Sequence, residues 1–134
     1  VGVPAFVLRY RLPGEGWAGR ADVPLQDAQR AMRLVRYFAQ HYAVDPVRLG
    51  FMGFSAGGHV ACSIATRFAA HVYEAADAAD TVDARPAFVA PLYPVVTMGE
   101  GAHAGEQGAA SHAPPWRSPS QAVKPSSGMG LPYR

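Results

Sequence analysis

The sequence predicts an α/β fold built on a parallel β-sheet. Three short segments, at residues 5–10, 48–54 and 87–93, have the branched and aromatic composition of β-strands. The segments between them carry apolar residues every three or four positions, which is the spacing of amphipathic helices. Because strands and helices alternate, the strands are expected to run parallel and to be joined by right-handed crossovers.

The first strand, residues 5–10, is followed by a loop and then by a helix. Pro24 suits the first helical position, and the carboxylate of Asp22 just before it can accept the free N–H groups there. The apolar period then continues as far as Tyr42. The helix is expected to end at Asp45, because a residue that precedes proline avoids the helical conformation.

The second strand, residues 48–54, is a nearly unbroken apolar run, as is typical of a parallel sheet covered on both faces. A helix follows to about residue 70, and a polar connection at 73–84 leads to the third strand. Beyond Met98 the chain is mainly Gly, Ala, Ser and Pro, which cannot bury enough surface to offset its ordering entropy. We therefore predict a partial domain at 1–98 and a disordered tail at 99–134.

Composition argues against several classes of partner. The formal charge is only +2, and apolar or acidic residues interrupt the helical spacing of Arg30, Arg33 and Arg36. We interpret these arginines as a solvated helix face and expect no nucleic-acid partner. The single cysteine, Cys62, permits no intrachain disulfide and no thiol-rich metal site. No apolar run approaches the roughly 20 residues that span a bilayer, so no membrane partner is expected.

The first residues of the chain say little about its compartment. Residues 1–10 have neither the basic start nor the small-residue cleavage site of a signal peptide. The missing initiator methionine suggests that the start was trimmed or never sequenced. The compartment stays open, with a cytoplasmic location slightly favoured.

The clearest chemical signal is the segment Gly53-Phe-Ser-Ala-Gly57, which fits G-x-S-x-G between a predicted strand and a predicted helix. That setting is the one a nucleophile elbow requires. The turn is so tight that Ser55 is expected to be strained, with its hydroxyl lifted clear of the sheet. Gly53 and Gly57 are expected to prevent a collision across the turn. The N–H of Ala56, at the start of the helix, can donate to a developing oxyanion, and the helix dipole helps.

Other interpretations fit this turn less well. A dinucleotide-binding turn requires G-x-G-x-x-G, and the glycines here do not have that spacing. A phosphate-binding P-loop requires Lys and then Ser or Thr, whereas His59 and Val60 follow the last glycine. No organic cofactor is therefore expected. A glycine-rich turn with an incidental serine is the remaining alternative.

The same residues resemble the elbow of the bacterial α/β-hydrolase esterases of the acetyl-xylan esterase-like and lipase/esterase type. The resemblance rests on GFSAGGHVA at 53–61 and extends to 24–33, 45–50 and 90–96. It covers about residues 1–98 and implies a fragment of a parallel-sheet α/β-hydrolase. It also implies hydrolysis of short-chain carboxylic esters, including acetyl groups on sugars. Ser55 would be the nucleophile, and the Ala56 N–H would form part of the oxyanion hole.

Parts of that family pattern are not found in the sequence. An HGGG-type loop should precede the first strand, and the triad acid and histidine should follow later strands. His59 lies on the elbow helix, so we expect it to pack there rather than to serve as the base. His103 and His112 lie in the predicted tail, where nothing would hold an imidazole near Ser55. We therefore expect the 134-residue chain to be inactive by itself.

The three loop acids Asp77, Asp80 and Asp83 have a spacing faintly like that of a calcium loop. Neither the glycine turn nor the closing glutamate of such a loop follows them. We interpret them as solvated loop acids and expect no metal site.

The sequence thus predicts a serine hydrolase of carboxylic esters that works through an acyl-enzyme. Its partner is a small-molecule ester, and its oligomeric state is not specified by the sequence. Two alternatives stay open. One is a catalytically silent truncated or frameshifted product, and the other is a fragment of a prolyl-oligopeptidase-type serine peptidase, which uses a similar elbow.

Overall fold

A computed structural model of the chain describes residues 2–14, 16–17 and 19–96. It contains two α-helices and two β-strands that alternate along the chain. The predicted α/β class is therefore confirmed. The tail predicted at 99–134, with His103 and His112, lies outside the described residues.

Helices and strands alternate in the order helix, strand, helix, strand. Helix α1 covers Val23–Tyr37, strand β1 Gly50–Phe54, helix α2 Ala56–Arg67 and strand β2 Phe88–Leu92. Single 3-10 turns at Arg20–Asp22 and Ala78–Thr81 precede α1 and β2. The predicted second strand, elbow helix and third strand are thus found within a few residues of their expected positions.

Strands β1 and β2 are parallel neighbours, with Gly50 opposite Phe88 and Phe54 opposite Leu92. Helix α2 leaves the end of β1 and packs against both strands. Because the strands are parallel, their carboxyl ends lie at the same edge of the sheet, where α/β proteins bind ligands. The residue after β1, which is Ser55, therefore lies beside the segment that follows β2.

The core lies between the two helices and one face of the sheet. Its buried members are Leu25, Ala28, Met32, Val60, Ile64 and Ala84. The α1 members are three or four residues apart, so they form one stripe that meets the corresponding stripe of α2. Each large side chain buried there contributes about 1.5–3 kcal/mol. The opposite face of the sheet is open in the described chain, since Met52 is 61% exposed and Phe54 50% exposed.

The prediction of a strand at residues 5–10 is wrong, since the described chain has no regular structure there. A strand requires a neighbour to complete its hydrogen-bond ladder, and the described sheet contains only β1 and β2. Leu8 and Tyr10 nevertheless pack against the core. The next residue, Arg11, is bound to Asp27 of α1. The carboxylate of Asp27 accepts one hydrogen bond from the Arg11 backbone N–H and others from its guanidinium at 2.6–3.1 Å.

Helix α1 is shorter than predicted. Proline stands near its start as expected, but the backbone leaves the helical conformation at Phe38 (φ −97°, ψ 22°) rather than at Asp45. The apolar period misled the prediction, because the turns between Phe38 and Val44 keep a similar spacing. The predicted capping role of Asp22 is also wrong, since its carboxylate makes no cap bond and instead pairs with Arg67 at 2.8 Å.

One polar side chain, Gln29 of α1, is completely buried. Its amide Nε2 donates to the carbonyls of Arg67 and Ala70 at 2.9 and 3.0 Å. Helix α2 ends at Arg67, and the last carbonyls of a helix have no partner within it. Gln29 therefore satisfies the end of α2 from inside the core.

Two loop acids predicted to be solvated are held by α1. Arg30 contacts Asp77 at 2.5 Å and Asp80 at 2.9 Å, and the side chain of Asp80 is only 2% exposed. Tyr73 donates a further bond to Asp80 at 2.6 Å. Asp83 is 58% exposed and fits the prediction better. Among the described residues, no group of three or more His, Cys, Asp or Glu side chains could hold a metal ion.

The next two arginines of the same helix bind backbone carbonyls of the connection to β2. Arg33 donates to the carbonyl of Val82 at 3.1 Å. Arg36 donates to the carbonyls of Asp83 and Arg85, the latter at 2.7 Å. The prediction that these arginines form a solvated face of α1 is therefore wrong. They bind the connection at 73–85, and because they are three residues apart on the helix, each binds a part of the connection further along the chain than the one before.

Candidate active site

Ser55 occupies the turn between β1 and α2, one residue after Phe54 and one before Ala56. Its backbone has φ 51° and ψ −116°, a left-handed conformation that few residues other than glycine adopt. Such a conformation costs on the order of 1–3 kcal/mol and persists only where the surroundings hold it. Ser55 thus has both the strand-turn-helix setting and the strain that the sequence predicts.

Main-chain hydrogen bonds hold Ser55 from both sides. Its N–H donates to the carbonyl of Leu92, the last residue of β2, at 3.1 Å. Its carbonyl accepts from the N–H of His59 at 3.1 Å and from the N–H of Val95 at 3.3 Å. The end of β2 and the loop behind it are therefore what maintain the strained turn.

The glycines around Ser55 are not equivalent. A Cβ at Gly53 would overlap the carbonyl of Gly57 and lie 2.9 Å from the nitrogen of Gly58. A Cβ at Gly57 would have only the Tyr10 hydroxyl within reach, at 4.0 Å. The steric reason given above therefore holds for Gly53 but not for Gly57.

Gly58 is a close-packed position that sequence reasoning missed. A Cβ there would lie 2.9 Å from the Cα of Pro94 and 3.0 Å from the carbonyl oxygen of Leu92. The second glycine of the pair Gly57-Gly58 is thus the one that lets the segment after β2 approach α2. Its signal in the sequence is the doubled glycine, which the G-x-S-x-G pattern does not include.

The hydroxyl of Ser55 is available to a ligand. Ser55 and Ala56 are both exposed, and the Ser55 side chain makes no cap bond to α2. Ala56 is the first residue of α2, so its N–H has no acceptor within the helix. A serine oxygen and a free N–H at the positive end of a helix dipole therefore lie next to each other, as attack on a carbonyl requires.

His59 is directed to the main chain. Its Nδ1 lies 2.7 Å from the carbonyl oxygen of Val95, in hydrogen-bond contact. Among the described residues, no histidine side chain is hydrogen-bonded to the Ser55 hydroxyl. His59 thus lies where the sequence placed it, on the elbow helix, and the described part of the chain brings no imidazole base to Ser55.

Tyr10 lies near the start of the elbow helix, a placement that sequence reasoning missed by treating it only as part of a strand. Its hydroxyl is the one group that a side chain at Gly57 would approach. Burial raises the pKa of Tyr10 and so favours its protonated phenol. No pattern within residues 5–10 distinguishes this tyrosine from an ordinary core aromatic.

The arrangement matches known proteins. The BD-FAE family model matches residues 6–109. The chain is 34% identical over 99 residues to an acetylxylan esterase of Xylanibacter ruminicola, covering 74% of this chain. It is 39% identical over 103 residues to endo-1,4-beta-xylanase B of Butyrivibrio fibrisolvens, covering 77% of this chain. The crystal structure of an acetyl ester-xyloside bifunctional hydrolase from Caldicellulosiruptor lactoaceticus is similar to that of this chain, with a TM-score of 0.60 and 38% sequence identity, over 79% of this chain.

These relatives are longer proteins. The chain spans 17% of the acetylxylan esterase, 16% of the xylanase and 38% of the bifunctional hydrolase. Within the described residues, neither helix is long and apolar enough to cross a membrane. The matched stretch contains both helices, both strands and the elbow serine. The chain belongs to the BD-FAE family, a group of α/β-hydrolase-like proteins whose relatives include carboxylic ester hydrolases.

Proposed function

We propose that the protein is a serine hydrolase of carboxylic esters in which Ser55 is the nucleophile. The observation that carries this proposal is the strained backbone of Ser55, at φ 51° and ψ −116°, between β1 and α2. A serine in an ordinary loop has no need of such a conformation. Here three main-chain hydrogen bonds maintain it and leave the hydroxyl exposed.

The chemistry would proceed through an acyl-enzyme. The Ser55 Oγ attacks the ester carbonyl carbon, its proton passes to a base, and the negative charge on the carbonyl oxygen is met by the Ala56 N–H. Collapse of the intermediate expels the alcohol, which takes the proton from the conjugate acid of the base. Water then attacks the acyl-enzyme in the same manner and releases the carboxylic acid. The base would be a histidine from outside the described residues.

Short acyl groups on xylan sugars are the substrates we propose. Two of the relatives are named for acetyl ester hydrolysis, one of them on xylan and the other together with xyloside hydrolysis. A macromolecular polyanion is a poorer fit, since Arg30, Arg33 and Arg36 are engaged with the 73–85 connection. We therefore propose a small-molecule ester or an acetylated oligosaccharide as the partner.

The test compares Ser55→Ala with Ser63→Ala, a serine of α2 outside the elbow. Both variants and the unaltered protein are assayed for hydrolysis of p-nitrophenyl acetate and of acetylated xylo-oligosaccharides, and for labelling by a fluorophosphonate probe. The assays use the 134-residue chain and the longest natural polypeptide that contains it. We expect no Ser55-dependent turnover from the 134-residue chain alone, because a serine without a base is a weak nucleophile.

In the longer polypeptide we expect turnover and labelling that Ser55→Ala abolishes and Ser63→Ala leaves intact. Removing the nucleophile in serine hydrolases typically lowers kcat by on the order of a millionfold. Activity that survives Ser55→Ala would refute the assignment of the nucleophile. No activity in either form would favour a catalytically silent protein, and cleavage of peptides but not esters would favour a peptidase.

A further inference from the structure

A closed set of hydrogen bonds links the elbow to the β2 loop, residues 93–95, which follows strand β2. Tyr93 has a left-handed φ of 35°, which turns the chain immediately after the strand. The N–H of Val95 then reaches the carbonyl of Ser55 at 3.3 Å. The carbonyl of Val95 in turn accepts from Nδ1 of His59 at 2.7 Å, and His59 donates its own N–H to the carbonyl of Ser55 at 3.1 Å.

This set of bonds controls the peptide group that carries the Ala56 N–H. The peptide plane between Ser55 and Ala56 holds the Ser55 carbonyl and the Ala56 N–H in a fixed, opposite relation. Two donors, the N–H groups of His59 and Val95, bind this carbonyl. Because the two groups of a trans peptide point in opposite directions, the Ala56 N–H points away from these donors, and both Ala56 and Ser55 are exposed.

We infer that His59 is a positioning residue: it holds Val95, which holds the Ser55 carbonyl and so aims the Ala56 N–H at the oxygen of a bound ester. This inference rests on the proposed function of Ser55. The imidazole would act without touching the substrate. Without it, the β2 loop would keep a single bond to the elbow carbonyl, and the strained turn would lose part of its support.

The chemistry of the bond dictates which replacements should work. A carbonyl only accepts, so Nδ1 of His59 must carry the proton, and the neutral ring must be the Nδ1–H tautomer. Asparagine has an N–H₂ group at the same number of bonds from Cα as Nδ1, so His59→Asn keeps a donor. His59→Leu keeps comparable bulk and has no donor. His71→Leu is the matched control, because His71 is 76% exposed and its Nε2 lies 3.4 Å from the carboxylate of the exposed Glu74.

The structural test uses the 134-residue chain and amide hydrogen exchange followed by NMR. We expect the Val95 amide to exchange about tenfold faster or more in His59→Leu, while His59→Asn and His71→Leu stay near the unaltered protein. The amide of Ile64, in the core, reports whether each variant folds. In the unaltered protein, imidazole ¹⁵N spectra should show the Nδ1–H tautomer of His59. An Nε2–H tautomer, or Val95 protection unchanged in a folded His59→Leu, would overturn the inference.

The catalytic test uses the polypeptide that shows Ser55-dependent esterase activity. Loss of a whole oxyanion donor lowers kcat by about 10²–10³-fold, so a misdirected one should lower it about tenfold. We expect His59→Leu to lower kcat at unchanged KM, and His59→Asn to restore it. Unchanged kcat in His59→Leu would overturn the inference even if the exchange results agree. Absence of any Ser55-dependent activity would refute the proposed function and, with it, the catalytic part of the inference. The exchange experiment would still decide whether His59 holds Val95, since it does not depend on turnover.

Discussion

The elbow glycines allow a graded prediction of stability. In Gly53→Ala the new Cβ would overlap the carbonyl of Gly57 and lie 2.9 Å from the nitrogen of Gly58, whereas real Cβ atoms essentially never come within 3.0 Å of another heavy atom. The obstructing atoms are backbone atoms of α2, so no side chain can move aside. Overpacking costs about 1–3 kcal/mol and sometimes more, and a backbone obstruction belongs at the upper end. We expect Gly53→Ala to lower the free energy of unfolding by about 3 kcal/mol.

Two neighbouring variants provide the scale. In Gly57→Ala the nearest atom is the Tyr10 hydroxyl at 4.0 Å, and alanine suits a helix better than glycine by up to about 1 kcal/mol. That variant should be neutral or slightly stabilised. Gly58→Ala should be intermediate, because its Cβ would lie 2.9 Å from the Cα of Pro94 and 3.0 Å from the carbonyl oxygen of Leu92, a smaller overlap than the one at Gly53. The predicted order, from the most to the least stable variant, is therefore Gly57→Ala, then Gly58→Ala, then Gly53→Ala.

Urea unfolding followed by circular dichroism measures all three variants against the unaltered chain. With domain stabilities of about 5–15 kcal/mol, a loss of about 3 kcal/mol moves the midpoint clearly. Equal midpoints for Gly53→Ala and Gly57→Ala would refute the steric account of the turn. A Gly57→Ala variant less stable than Gly53→Ala would show instead that the motif glycine at 57 is the one under compression.

Two further predictions concern the supports of the elbow. Gln29→Glu should lower the free energy of unfolding by about 2–4 kcal/mol, because a buried carboxylate cannot donate to the carbonyls of Arg67 and Ala70. Thermal or urea melts at pH 7 measure this loss. The control Gln40→Glu, at an exposed position, should not lower the free energy of unfolding. The last prediction concerns pH. Hydrogen bonding to Arg30 holds the pKa of Asp77 below its usual range. Burial by itself would raise the pKa of Asp80, but the hydrogen bonds that Asp80 accepts from Tyr73, Ala76 and Arg30 outweigh burial and lower that pKa. Their stabilisation is thus present above the unfolded aspartate pKa of about 4 and lost as pH falls through the folded values. Urea midpoints from pH 7 to 2 should fall less steeply in Asp80→Asn than in the unaltered chain; an unchanged slope, or the same flattening in Glu74→Gln, would contradict this.

Sequence reasoning succeeded where local chemistry decides the structure. Pro24 near a helix start, the apolar run of β1 and the glycine at 53 each have a local cause, and the structure contains the elements they predict. The setting of Ser55 followed from the same causes, since the order of strand, turn and helix around it is encoded within a few residues.

It failed where distant residues decide. The segment at 5–10 has the composition of a strand but no partner in the described sheet, so it forms none. Arg30 has the local appearance of a solvated residue, yet its partners are 47 or more positions away, at Asp77 and Asp80. The packing of Gly58 likewise depends on Pro94, which only the fold brings near. The doubled glycine marks Gly58 as unusual, but neither it nor any periodic pattern in a single sequence identifies the distant partner.

These distant contacts connect helix α1 to the chemistry at Ser55. The strained turn is held by the end of β2 and by the β2 loop, through Leu92 and Val95. The connection at 73–85 leads into β2, and the arginines of α1 bind its acids and carbonyls. A serine that must be held against its backbone preference needs such support from outside its own turn. Substitutions in α1 that leave the fold intact but loosen the connection should therefore weaken the elbow before they unfold the domain.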